Sequence, residues 1–316
     1  MALTLFKKAH LLASMALILG VNSNVVASEK VDVVASFSIL GDLISEVGGD
    51  HIKLTTLVKA NGDAHVYNPT PQDAQAVKHA QLLVVNGLSF EGWMPRLLES
   101  AQFKGKKVTA SNGINVLRIG EHEEEHEENT DEKEEVGHHH EGPDPHAWNS
   151  IANVKIYVNN IQSGLSQVDP DNSQEYKQNA DIYIVKLNTL ENKLRKKMEM
   201  VPLTQRKVIT PHDAFGYLAH DFDLEFMAPQ GISTESEASA SDVAAIIKQI
   251  RRDNINAVFI ENIADNRMVE QIVRETNTKV GGKLYSDALS GSNEPASTYL
   301  KMIEHNVTTI ANALTP

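Results

Sequence analysis

The chain has 316 residues, a formal net charge of −13, 13 histidines and no cysteine. Hydrophobic residues make up 41% of it, which is enough to bury a core, and the acidic balance argues against binding to nucleic acid or to anionic membrane surfaces. The absence of cysteine excludes disulfides, catalytic cysteines and thiolate zinc sites, so a tight site for a transition metal has to use histidine nitrogen and carboxylate oxygen.

The first 27 residues have the pattern of an export signal. Lys7 and Lys8 form a basic start, and the apolar run from Leu11 to Val21 is too short to span a bilayer. Asn22 closes that run early, which argues against a membrane anchor. We therefore expect a signal peptide that is cleaved after Ala27, delivery to the periplasm and, without cysteine, no site for a lipid anchor.

From Val31 onward, short β-type runs alternate with helical ones. This rhythm is typical of a parallel sheet covered by helices. In chain order, the runs are a strand at 31–37, a helix at 38–47, a strand at 52–57, a helix at 71–79, a strand at 82–85, a helix through Trp93 and Leu97, and a strand that begins at Lys107.

An acidic, histidine-rich segment at 121–141 interrupts the pattern. It holds eleven acids and one lysine with almost no apolar residues, so we expect a disordered loop. The loop is either a solubilising insert or an auxiliary, weaker metal binder. Its pattern His-Glu-x-x-His matches that of zinc proteases, but that motif needs a helix packed on a core, and these neighbours are polar. The histidines of the loop are His122, His126, His138, His139 and His140.

Residues 171–200 contain no glycine or proline and repeat apolar side chains at helical spacing, which predicts one long helix that ends before Pro202.

The fold class that follows is α/β, with two lobes that each hold a mainly parallel sheet flanked by helices, joined by the long helix. We place the first lobe at 28–168, the linking helix at 169–201 and the second lobe at 202–316. In the second lobe we predict strands at 207–210, 224–227, 257–260 and 283–285, and helices at 239–252, 268–276 and 298–314.

Four short segments end a predicted strand or lie in the loop after one, where ligands of open α/β sheets gather. They are Gly-Asp-Ala-His-Val-Tyr-Asn-Pro-Thr-Pro at 62–71, Asp-Pro-His-Ala-Trp at 144–148, Thr-Pro-His-Asp-Ala-Phe-Gly-Tyr at 210–217 and Tyr-Ser-Asp-Ala-Leu at 285–289.

With these segments, and with Asn-Gly-Leu-Ser-Phe-Glu-Gly-Trp at 86–93, the chain resembles the cluster A-I substrate-binding proteins of ABC importers for zinc and manganese. The resemblance covers essentially the whole mature chain. It implies a metal held between the lobes, a long helix that acts as a stiff spine, no catalysis, and delivery of the metal to a membrane permease driven by an ATPase. We expect a monomer, with a periplasmic metallochaperone as one candidate metal donor.

Carried over position by position, the resemblance implies His65 and His146 as ligands from the first lobe, and His212 and Asp287 from the second. Three imidazoles and one carboxylate suit Zn²⁺ in tetrahedral coordination, whereas Mn²⁺ prefers more oxygen. Manganese-selective members often carry glutamate at the position of His212, and zinc members often carry a histidine-rich loop. Both features favour zinc as the cargo.

Each of these residues also has an ordinary explanation. His65 alone suits a surface loop, His212 suits the end of a strand, and Asp287 suits a helix cap. Manganese or ferrous iron is the alternative cargo. The alternative of another class is a zinc hydrolase with three histidine ligands, in which Asp287 would stay off the metal to leave a position for water.

Overall fold

A computed structural model describes residues 29–119, 142–253, 255, 257–276 and 278–315 of the chain. The predicted signal peptide, 1–27, and the acidic loop, 121–141, lie outside these residues. The described residues form two four-stranded parallel sheets flanked by helices, together with one long helix, which confirms the predicted α/β fold class.

The first lobe is built from helices packed around a buried parallel sheet. In chain order its elements are β1 (Val31–Phe37), α1 (Ser38–Gly48), β2 (Ile52–Val58), α2 (Pro71–His79), β3 (Leu82–Val85), α3 (Met94–Ala101), β4 (Lys106–Thr109), the two short strands β5 (Arg118–Ile119) and β6 (Gly142–Pro143), and α4 (Ile151–Val168). The sheet order is β2-β1-β3-β4, and every residue of β3 is buried, as expected of a strand covered on both faces. The short antiparallel pair β5–β6 flanks the acidic loop on either side.

The second lobe repeats the architecture with a sheet in the order β10-β9-β7-β8. All of its pairings are parallel. Its elements are β7 (Lys207–Ile209), α6 (Gly216–Phe222), β8 (Glu225–Met227), α7 (Ala240–Asp253), β9 (Ala257–Glu261), α8 (Arg267–Thr276), β10 (Lys279–Leu284) and α9 (Tyr299–Leu314).

The predicted long helix is α5, Ser173–Met198, which at 1.5 Å per residue is about 39 Å long. It buries one face against the rest of the molecule, at the helical spacing read from the sequence. The buried guanidinium of Arg206 donates to the carbonyl oxygens of Met198, Val201 and Phe222, so the last carbonyl of the helix, that of Met198, has a partner. The buried residues of α5 are Tyr176, Ala180, Tyr183, Leu187, Leu190, Leu194 and Met198.

Two helices were not among the sequence predictions, α4 and α6. In α4, valine, isoleucine and Gly164 lower the helix propensity, but a Cβ at Gly164 would lie 2.5 Å from the Val108 side chain. The glycine therefore allows the helix to pack closely on β4, and this tertiary contact outweighs the local preference. The other difference is β10, which begins at Lys279 rather than at the predicted Lys283.

The largest hydrophobic core runs through both lobes and includes residues of α5 and α9. Trp148 is fully buried, and its indole N–H donates to the carbonyl oxygen of Ser286 in the other lobe at 2.7 Å. Close to this shared core, the loops that follow the strands of both sheets meet.

Candidate metal centre

His65 lies in the loop between β2 and α2, on the side of the site that faces solvent. Its backbone N–H donates to Asp63 Oδ1 at 2.9 Å, which closes a tight turn, as expected for aspartate in a turn. The carbonyl oxygen of Ala64 accepts from the indole N–H of Trp93 at 2.8 Å. Phe90 packs edge-on against the imidazole, with the ring centroids 4.8 Å apart. The loop therefore holds the ring in place although it has no regular structure.

His146 follows β6 and is fully buried. Asp144 Oδ1 accepts from both the backbone N–H and Nδ1 of His146, each at 2.9 Å. With the Nδ1–H of His146 donating to Asp144, the neutral ring carries its free lone pair on Nε2, which faces the site. A Cβ at Gly216 would lie 2.7 Å from Asp144 Oδ2, so the glycine of the third sequence segment makes room for this carboxylate.

His212 follows β7 and is also fully buried. Glu261, the last residue of the neighbouring strand β9, contacts it twice. Glu261 Oε1 accepts from the backbone N–H of His212 at 3.2 Å, and Oε2 lies 2.7 Å from Nδ1. Sequence reasoning missed Glu261. The sequence signal for Glu261 was an acidic residue at the carboxyl end of an apolar strand, because the site lies at the carboxyl ends of the strands.

The structure brings together all four residues that the sequence singled out. Asp287 Oδ2 lies 3.1 Å from His65 Nε2 and 3.3 Å from His212 Nε2, and Asp287 Oδ1 lies 3.7 Å from His146 Nε2. One ligand atom from each of the four lies within 4.8 Å of the other three. Asp287 is fully buried and caps no helix. The five histidines of the acidic loop lie outside the described residues.

The buried charges at this site depend on one another. Burial alone raises the pKa of Asp287, but the imidazoles of His146 and His212 outweigh it and hold that pKa well below its usual range. Burial lowers the pKa of His212, but the carboxylates of Glu261 and Asp287 raise it well above the usual value. A site that stabilises the carboxylate and surrounds it with imidazoles has the electrostatic character that a divalent cation requires.

Several polar atoms here have no hydrogen-bond partner among the described residues. Around the site they are both carboxylate oxygens of Asp287, both ring nitrogens of His212 and Oε2 of Glu261. A buried polar atom without a partner costs free energy, and a metal ion at the centre of the four side chains would satisfy the oxygens of Asp287 and Nε2 of His212. Three imidazoles and a carboxylate form a donor set typical of Zn²⁺.

A cleft of about 740 Å³ opens on His65. One wall belongs to the first lobe and includes Phe90 and Gly142. The other belongs to the second lobe and includes Gly231 and the acidic residues Glu235 and Glu237. His65 is thus the member of the cluster that lines the cleft, with 5% of its side chain exposed against 0% for the other three.

The model of the family ZnuA, the periplasmic zinc-uptake complex component A, matches residues 33–313. The chain belongs to this family. It is therefore a metal-binding, substrate-binding component of an ABC importer, and it acts with a permease and an ATPase. Because the family consists of transport proteins rather than enzymes, the alternative of a zinc hydrolase is wrong.

Individual relatives are described with different metals. The iron-binding protein YfeA of Yersinia pestis is 32% identical over 284 residues, which cover 90% of this chain and 86% of that protein. The manganese ABC transporter substrate-binding lipoprotein scaA of Streptococcus gordonii is 28% identical, covering 91% and 90%. The structure of the periplasmic zinc binding protein TroA from Treponema pallidum has a TM-score of 0.81 and 27% identity, covering 91% of this chain and 100% of that one.

No described helix of this ZnuA-family chain is long and apolar enough to cross a membrane. The family match thus establishes the class of protein and its place in an importer, and the relatives leave the identity of the metal open.

Proposed function

We propose that this protein captures Zn²⁺ between its lobes through His65, His146, His212 and Asp287 and delivers it to the permease of its importer. The observation that carries the proposal is the convergence of three imidazole nitrogens and one carboxylate within 4.8 Å of one another. The buried oxygens of Asp287, which lack hydrogen-bond partners, support it.

Zinc is favoured by the nature of the third ligand. His212 supplies nitrogen where more oxygen would suit manganese, and carboxylates contact the far side of both buried imidazoles. An imidazole polarised in this way donates its electron pair to zinc more strongly.

One observation favours the second candidate, Mn²⁺. Both oxygens of Asp287 are without partners, so the carboxylate can bind a metal through two oxygens and raise the ligand number.

We propose a weaker auxiliary role for the histidine-rich loop at 121–141. The loop joins the described chain at Gly142, which lines the cleft that opens on His65. Its five histidines and eleven acids would collect zinc near this cleft, and the entropy lost on ordering the segment would keep its affinity below that of the preformed site.

We further propose that the protein works in the periplasm as a monomer, after cleavage near Ala27. A periplasmic metallochaperone is one candidate donor of the metal. The relative from Streptococcus gordonii is named a lipoprotein, whereas this sequence has no cysteine for such an anchor. The lobe boundaries 28–168 and 202–316, with the linking helix at 169–201, belong to the same proposal.

Competition between metals tests the choice of zinc. Metal-free, refolded protein is loaded with Zn²⁺ and challenged with Mn²⁺, beside the variant His212→Glu. We expect about a hundredfold excess of Mn²⁺ to leave zinc in place in the natural protein, and the preference for zinc to shrink in the variant. A natural protein whose zinc-to-manganese affinity ratio is no larger than that of the variant would contradict the proposal.

A further inference from the structure

The three histidines of the metal centre share one local device. In each case a carboxylate oxygen accepts the backbone N–H of the histidine. For His65 and His146 the acid stands two positions earlier, in Asp-x-His segments, and for His212 it is Glu261 from another strand. These contacts fix the backbone at the point where each imidazole leaves it.

The second contact of the carboxylate differs among the three. At His146 and His212 the acid also contacts the ring Nδ1 of the same histidine. At His65 it does not: Asp63 Oδ2 instead accepts from Thr234 Oγ1 of the other lobe, at 2.6 Å. In this Asp-x-His segment, the second carboxylate oxygen of Asp63 therefore makes a contact between the lobes.

Thr234 belongs to an irregular segment, 228–239, between β8 and α7, which we call the rim segment. Ten of its residues line the second-lobe wall of the cleft on His65, among them Gly231, Ile232, Ser233, Glu235 and Glu237. Among the described residues, the bond from Thr234 to Asp63 is the hydrogen bond that joins the rim segment to the first lobe.

The base of the rim segment is attached beside His212. Gln230 N donates to the carbonyl oxygen of Pro211 at 3.2 Å, and the N–H of Asp213 donates to the carbonyl oxygen of Gly231 at 3.3 Å. The segment therefore runs from the two residues that flank His212 to the carboxylate that holds His65. It links a ligand of one lobe with a ligand of the other around the mouth of the site.

The lobes are also joined close to Asp287 in the sequence. The backbone N–H of Leu289, two residues after Asp287, donates to the buried hydroxyl of Ser38 at 2.9 Å, and its carbonyl oxygen accepts from Asn61 N at 2.8 Å. The backbone of Leu289 thus holds the lobes together through buried Ser38 and through Asn61, which is exposed and lies two residues before Asp63. At the mouth, the Thr234 hydroxyl performs this role through a partly exposed side chain.

We propose that Asp63 is a positioning residue that couples His65 to the rim segment, and that the Thr234–Asp63 hydrogen bond slows the release of bound metal by keeping the mouth closed. This inference rests on the proposed role of His65 as a ligand. The Asp63 carboxylate then has two tasks, to orient the loop of His65 and to hold the second lobe over it.

The test is the rate of zinc release, followed by stopped-flow mixing of the zinc-loaded full chain with excess chelator. Thr234→Val removes the hydroxyl and keeps the side-chain volume, whereas Thr234→Ser keeps the hydroxyl and is the matched control. We expect Thr234→Val to release zinc about fivefold faster, the effect of losing one hydrogen bond of ordinary strength, and Thr234→Ser to match the natural protein. In an Asp63→Ala background, Thr234→Val should change nothing further, because the acceptor is already gone.

Unchanged release from Thr234→Val would overturn the inference, as would equal acceleration by Thr234→Ser, or an undiminished effect of Thr234→Val in the Asp63→Ala background. His65→Ala separates this outcome from failure of the proposed function. If His65→Ala binds zinc as tightly as the natural protein, the ligand assignment itself is wrong. If it binds weakly while Thr234→Val is silent, the hydrogen bond to the rim segment alone is discarded.

Discussion

The interior wall of the metal centre and its mouth are built from the same residue types but held differently. On the interior wall, His146, His212 and Asp287 are fully buried, and a carboxylate contacts the back of each imidazole. At the mouth, His65 faces a cleft, and its companion acid contacts the other lobe. From this comparison we propose that the buried wall sets the affinity for the metal and that the mouth controls its exchange.

Loss of an interior ligand should have the largest effect. We expect His212→Ala to lower zinc affinity more than about 100-fold, since loss of an outer partner of a ligand alone typically costs 10- to 100-fold. His65→Ala should cost less, because water from the cleft can take the vacant position on the metal. Chelator competition measures both, and equal losses would remove the distinction between wall and mouth.

The acids behind the imidazoles come next. Glu261→Gln removes a negative charge and keeps the size of the side chain, and we expect zinc affinity to fall about 10- to 100-fold. Glu304→Gln is the matched control, because Glu304 pairs with Lys193 at the surface and contacts none of the four clustered residues. Should both variants lose zinc affinity equally, the contact between Glu261 and the His212 ring would not be the cause of the loss.

Protons should compete with zinc at the interior wall. Glu261 and Asp287 raise the pKa of His212 despite its burial, which favours the imidazolium form in the metal-free protein, and zinc must then displace a proton from the ring. Affinity should therefore fall as the pH decreases, beginning above the ordinary histidine pKa of about 6.5. Calorimetry in buffers of different ionisation enthalpy should detect about one proton released per zinc, and less in Glu261→Gln. Zinc binding without proton release would contradict this electrostatic account.

A change far from the centre should alter stability and leave affinity almost unaffected. Burial raises the pKa of Asp42 from 3.8 to about 6, although its carboxylate accepts the backbone N–H of Tyr299. The stability from protonated Asp42 is complete below pH 3.8 and is lost as the pH rises through about 6, so the ionised group costs up to about 3 kcal/mol at neutral pH.

Asp42→Asn keeps the acceptor for Tyr299 and removes the charge. We expect a higher melting temperature at pH 7.5, a smaller change in stability between pH 4 and 7, and zinc affinity within about twofold of the natural protein. Thermal unfolding followed over this pH range measures the effect. A variant that is less stable at pH 7.5 would show that ionised Asp42 stabilises the fold.

The sequence predicted the four clustered residues because each stands in a short motif at the end of a strand. Glu261 carries no such motif, and 49 residues separate it from His212, so only the pairing of β7 with β9 reveals their contact. The same limit applies to the bond between Asp63 and Thr234, 171 residues apart, which depends on how the lobes meet. The strands and helices of the two sheets and the long helix could be predicted because the spacing of apolar residues is a local signal. Helix α4 could not, because it depends on close packing at Gly164 against β4.

The most direct test is a structure of the zinc-loaded protein with the ion located by its anomalous scattering. We expect one ion between the lobes, bound by Nε2 of His65, His146 and His212 and by a carboxylate oxygen of Asp287, at distances of about 2.0–2.2 Å. An ion held elsewhere, or one that leaves any of these four side chains uncoordinated, would contradict the proposed site.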